Sequence, residues 1–157
     1  MNPRRAIALA ACAALAAGAA GCGGGDDTSG DTTAAATMSQ DDWVTQADQI
    51  CAAGDAEIQQ AAQDAGLSSK STPQEIETFY TDTVLPNIES QRDQIEALPA
   101  PEGEEDAASS MLDALNQAIE DAKSDPGALV QGDGSAFNDV NQQAQDLGLS
   151  DCGNGSG

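Results

Sequence analysis

Cysteine and carboxylate are the side chains in this 157-residue chain whose types can support chemistry, and histidine is absent. Its absence excludes Ser-His-Asp and Cys-His catalysis, histidine-ligated haem and the Glu-x-x-His metal sites of ferritin-like bundles. Cys12, Cys22, Cys51 and Cys152 never fall into a Cys-x-x-Cys spacing, so neither a thioredoxin-like site nor a zinc site is supported. Met38 and Met111 are too few for a methionine-rich copper site. No glycine-rich loop stands between a strand and a helix to cradle phosphate. A glycosidase needs only two carboxylates at the right separation. Among 27 acids some pair matches by chance, so no catalytic residue is assigned. The chain reads as a non-enzyme without a cofactor. Calcium is the more serious prospect, because it takes several oxygen ligands. The stretch DPGALVQGDGSAFND arranges Asp125, Asp133, Asn138 and Asp139 around one loop. It lacks EF-hand spacing and a closing glutamate, and turn and cap roles account for the same residues. No metal site is assigned.

Cys22 differs from the other cysteines in its surroundings. Arg4 and Arg5 precede an alanine-rich apolar stretch over residues 6–20. As a helix that stretch would span roughly 22 Å, short of the ~30 Å hydrocarbon core, so it reads as a signal-peptide h-region and not a membrane span. The residues before Cys22 are Ala19, Ala20 and Gly21. Ala-Ala-Gly-Cys resembles the bacterial lipobox, with Ala19 where leucine is commonest. That resemblance implies diacylglycerol on the Cys22 thiol and a mature chain beginning there. The alternative is an ordinary secretory signal cleaved nearby, leaving Cys22 as a free thiol. Residues 23–38 hold small and polar side chains with no large aliphatic before Met38. Such a segment cannot offset its ordering entropy and reads as a flexible tether, roughly 20–24 Å end to end. The expected organisation is a signal peptide at 1–21, a lipidated cysteine and tether at 22–38, a helical domain at 39–152 and a disordered tail at 153–157.

Composition narrows the partners. The full chain carries 5 Lys+Arg against 27 Asp+Glu, a formal charge of −22. Loss of residues 1–21 removes Arg4 and Arg5 and no acid, leaving only Lys70, Arg92 and Lys123 as cations. Nucleic acid is excluded as a partner, because phosphate binding needs clustered Lys and Arg. The acidic excess hydrates the surface, and it could also recruit cations or a basic partner. Leu, Ile, Val and Phe make up only about 18% of residues 40–152, a fraction associated with disorder. Helical spacing of the apolar residues, abundant alanine and paired cysteines outweigh that number.

Four helical segments are expected. The first covers residues 40–65, capped by Ser39 and stopped by Gly66, with Trp43, Ala47, Ile50, Gly54, Ile58, Ala61 and Ala65 on one stripe. Trp43 is read as a packing residue on that stripe, with sugar stacking as the alternative. The second starts in STPQEI with Thr72 as cap, Pro73 in the first position and Glu75 completing a capping box. Ile76, Tyr80, Val84, Ile88, Ile95 and Leu98 line it, and Pro86 inside the pattern predicts a kink or short break near Thr83. Phe79 and Tyr80 are adjacent and cannot both face the core, which leaves one for contact. The third carries Ala108, Met111, Leu112, Leu115, Ile119 and Ala122 after the prolines of LPAP. The connection before the fourth has room for a short helical turn at Leu129 and Val130. The fourth starts after Ser135 with Phe137, Val140, Ala144 and Leu147, capped by Gly148. No strand is expected. Short connections make successive helices antiparallel, giving an all-α, up-down-up-down four-helix bundle. Helix four then ends beside the first third of helix one. That places Cys152 near Cys51, an even pair in an exported, oxidising compartment.

The segments ADQICAAGDAEI, LPNI, LPAP and LGLSDCG together resemble a family of small helical lipoproteins and secreted proteins of actinobacteria, of unknown function. The resemblance covers residues 40–153 and implies an all-α fold with a Cys51–Cys152 pair. It implies no activity. The functional expectation is a non-catalytic, lipid-anchored helical module on the extracytoplasmic face of the cell membrane, acting through a protein or envelope-component partner. The alternative is a ligand- or cation-binding lipoprotein serving a transporter or sensor.

Overall fold

A computed structural model describes residues 37–131 and 135–154. Cys22, the signal segment, most of the tether and Asp133 lie outside the described residues. The chain divides into two units, residues 1–33 and 34–157, and all described residues belong to the second.

The first helix, α1, spans Gln40–Asp64. Ser39 caps it as its spacing predicts, its hydroxyl oxygen accepting from the Asp42 N–H at 3.2 Å. Gly66 ends it at φ +69°, where a side chain would be strained. The Leu67 N–H then reaches back to the Ala62 carbonyl and the Gly66 N–H to that of Gln63, the paired bonds of a Schellman cap. The second segment begins as α2, Pro73–Phe79, with both halves of the Thr72–Glu75 capping box formed. It continues through a π turn at Tyr80–Val84 into α3, Leu85–Glu96. The expected break near Thr83 therefore takes the form of a π turn. The physical reason is Pro86, which has no N–H to donate to the Asp82 carbonyl and whose ring crowds it; widening the preceding turn relieves both problems.

The expectation of no strand is corrected at one place. Thr37–Met38 forms a two-residue strand, β1, paired in parallel with β2, Ala100–Pro101. Thr37 lies opposite Ala100 and Met38 opposite Pro101, and the Glu102 N–H donates to the Met38 carbonyl at 2.8 Å. A pairing this short has no alternation to read. Pro99 and Pro101 hold the backbone extended, which makes it available as a template. β1 also occupies the last two residues of the expected tether.

Next comes α4, Glu105–Ser124, which buries Ala108, Met111, Leu115, Ala118, Ile119 and Ala122. Leu112, expected in that stripe, is only half-buried. The short helix α5, Pro126–Gln131, carries Leu129 and Val130. A 3-10 turn at Ser135–Phe137 leads into α6, Asn138–Asp146, and Gly148 closes α6 with a second Schellman cap at φ +91°. Cys152–Asn154 form a final 3-10 turn.

The described residues are thus mostly helical. α1 packs on α3, α3 on α4 and α4 on α6, while the Cys152 turn packs on both α6 and α1. Trp43, Ala47, Cys51, Ile95, Met111, Leu115, Ile119, Val140, Ala144, Leu147 and Leu149 form one core cluster. Each fully buried Leu, Ile or Met contributes about 1.5–3 kcal/mol. Burial along α1 stops at Gly54; Ile58 and Ala61 are half-buried and Ala65 is exposed. Gly54 sits where α1 meets α3, and a Cβ there would overlap the Gln91 side-chain amide.

Candidate functional site

Chemistry-bearing residues converge first at the disulfide. Cys51, buried on α1, and Cys152, in the final turn, are bonded with their Cα atoms 5.2 Å apart and 101 residues apart in sequence. Beside them, Asp48 on α1 receives the incoming C-terminal segment of the chain. Its carboxylate accepts the Ser150 N–H at 3.0 Å, the Ser150 hydroxyl at 2.8 Å, the Asp151 N–H at 2.9 Å and the Cys152 N–H at 3.4 Å. Burial works against the charge, but these hydrogen bonds outweigh it and hold the Asp48 carboxyl below its ordinary range. The Gln145 side-chain amide N–H donates a hydrogen bond to the Gly153 carbonyl at 2.8 Å. The sequence pointed to the two cysteines and missed Asp48, because an aspartate on an acidic helix carries no mark of a partner 102 residues away.

A cleft of about 180 Å³ opens where the end of α3, β2 and α4 meet α1. Trp43, Ile95 and Pro101 are buried behind it, Leu98 and Leu112 are half-buried at its mouth, and Glu96, Glu105 and Asp113 stand exposed around it. Leu98 also borders a second, more open cleft of about 260 Å³, lined by Gln46, Gln49, Ile50, Ala53 and Gln94. No basic side chain lines either cleft. Arg92 bridges Asp93 at 2.9 Å and Glu96 at 3.5 Å, and Lys123 ties Glu89 on α3 to Glu120 on α4. Glu105 and Asp113 form no ion pair among the described residues. The signals for this cleft were in the sequence, as Leu98 and Leu112. Helical spacing puts both on core stripes, and the neighbouring elements cover each only in part, so both stay half in solvent.

The remaining candidates do not converge. Trp43 is 2% exposed and belongs to the core, as expected for a packing residue. Phe79 and Tyr80 are both half-buried. Asp125 accepts the Ala128 N–H at 3.3 Å, a turn role, and Asp139 lies in the first turn of α6. Among the described residues no three acidic or cysteine side chains are grouped so as to hold a metal ion. No described helix is long and apolar enough to cross a membrane. Compared with family models, curated proteins and solved structures, the chain matches none.

Proposed function

We propose that this chain is a non-catalytic helical module of a bacterial cell envelope, held at the extracytoplasmic membrane face by lipid on Cys22 and acting through a protein or envelope-component partner. The observation that carries the reading is the Cys51–Cys152 disulfide. It suits an oxidising, exported compartment. It also uses both other cysteines downstream of residue 21, so that Cys22 is the thiol left for modification. The apolar segment before Cys22 and the Gly- and Asp-rich segment after it support an address followed by a tether. In this reading the helical segments alternate up and down as an antiparallel four-helix bundle, which their short connections favour. The resemblance to small actinobacterial lipoproteins accords with the same reading. A protein surface suits the clefts better than a small-molecule site does, since ligand pockets measure about 300–1,000 Å³ and these measure about 180 and 260 Å³.

The experiment is membrane fractionation with intact-mass measurement of native protein. A diacylglyceryl-sized mass on Cys22, and release or failure of processing in Cys22→Ala, are the expected results. An unmodified Cys22 thiol in native material overturns the anchor.

A further inference from the structure

We propose that the cleft between α3 and α4 is the docking site for a basic segment of a second protein, one that inserts an apolar side chain between two cationic ones. This rests on the reading of the chain as a partner-binding module and names the partner's chemistry. Leu98 and Leu112 flank the cleft over the buried Trp43. Its volume of about 180 Å³ exceeds the roughly 150 Å³ that holds a benzene-sized group, so one large apolar side chain fits. Glu105, Ser109, Leu112 and Asp113 recur at helical spacing on the face of α4 that borders the cleft. Glu105 and Asp113 stand roughly 12 Å apart at 1.5 Å per residue. In an extended chain about the same distance separates side chains four residues apart.

Charge selects among occupants. A second copy brings the same acidic surface, and two of its described cations, Arg92 and Lys123, are held by its own carboxylates. The segment 22–36 of this chain contains Asp26, Asp27 and Asp31 and no Lys or Arg, so it has no cation to offer Glu105 or Asp113. A basic segment of a different protein supplies what both lack. Its approach is accelerated by the field of a strongly anionic domain.

The test uses the full chain purified in detergent, with backbone amide shifts and the fluorescence of its single tryptophan as readouts. The probes are twelve-residue peptides centred on Arg-Ser-Leu-Ser-Arg, on Arg-Ser-Ser-Ser-Arg and on Gln-Ser-Leu-Ser-Gln. The first is expected to bind at least tenfold tighter than either control, with shifts concentrated at Leu98, Ser109 and Leu112. The exposed double variant Glu105→Gln/Asp113→Asn, with its fold verified by circular dichroism, is expected to weaken that peptide at least tenfold. Equal binding of both arginine peptides, with shifts spread over the acidic surface, overturns the proposal in favour of diffuse attraction. Equal binding of both leucine peptides overturns it in favour of an apolar occupant. In cells, a photo-crosslinker at Ser109 is expected to trap a basic protein, while one at Asp64, near the far end of α1, is not. Adducts only at Asp64, or between two copies of this chain, overturn the cleft and leave the partner-binding reading standing. Absence of adducts at every surface position probed overturns both.

Discussion

The Asp48 carboxylate grips Ser150 through both its N–H and its hydroxyl, at 3.0 and 2.8 Å, across 102 residues of sequence. The Asp151 and Cys152 N–H groups converge on the same carboxylate. The disulfide at Cys51, one turn further along α1, is therefore a covalent tie beside a non-covalent one. The non-covalent tie is charge-dependent and formed from backbone N–H groups and the Ser150 hydroxyl, donors that an isolated tail would leave to water.

Asp48→Asn is expected to lower stability at neutral pH by about 1 kcal/mol, below the roughly 1.5–3 kcal/mol of hydrogen bonds to charged groups because solvent screens this carboxylate. The amide places a donor against backbone N–H groups. The folded Asp48 carboxyl titrates below its ordinary value of 3.8. Its contribution is thus fully present above that value and disappears as pH falls through the lower, folded one. Denaturant unfolding of both proteins with the disulfide intact checks this. The two stabilities should converge in acid, and a constant difference across the pH range would refute the assignment.

Cys152→Ser is expected to cost far more. Closing a loop of about 100 residues contributes about 4.7 kcal/mol in the chain-entropy model. For a domain of this size that corresponds to a drop of about 20 °C in Tm. Calorimetry of the oxidised variant, compared with wild type before and after reduction, measures it. A drop of under 3 °C would show that the non-covalent contacts hold the chain ends without the disulfide.

Gly54 separates two effects at one position. Alanine there raises helix propensity by about 1 kcal/mol, but its Cβ displaces the Gln91 amide from Asn87, where it now donates at 2.6 Å. Gln91 ends in a flexible group that can swing away, so Gly54→Ala is expected within about 1 kcal/mol of wild type. Gly54→Leu has nowhere to place its branch between α1 and α3 and is expected to cost about 1–3 kcal/mol. Urea midpoints of both variants decide the matter. Equal stability of the leucine variant would mean that the helices do not meet there.

Calcium is expected to act on this domain only as a screening ion. Its effect on Tm should be matched by magnesium and fade in moderate salt, since exposed charges are screened over about 10 Å at 0.1 M. A built site would stabilise the fold by about 2.7 kcal/mol at a hundredfold excess over Kd. Thermal melts with each ion, with and without added salt, distinguish the two. Salt-resistant, calcium-selective stabilisation lost in Asp133→Asn would establish the loop as a site.

Sequence alone determined the local structure, because each local signal acts within a few residues of itself. Ser39, the Thr72–Glu75 box, Gly66 and Gly148 cap helices through bonds to neighbours three to five positions away. Pro86 disturbs its own turn, and the apolar spacing of α4 follows from helical geometry. The cysteine pair was also legible, since only two cysteines remained to be joined once the others had been assigned to the N-terminal segment. Apart from that pair, tertiary structure decided what depends on a partner distant in the chain. Met38 met Pro101 in a strand with no strand signal, Asp48 met Ser150, and Leu98 and Leu112 came to line one cleft, half-buried at the edge of the core. A half-buried leucine and a core leucine have the same side chain and the same helical period. What distinguishes them is how far the neighbouring helix covers them, and that is set by the packing of whole elements.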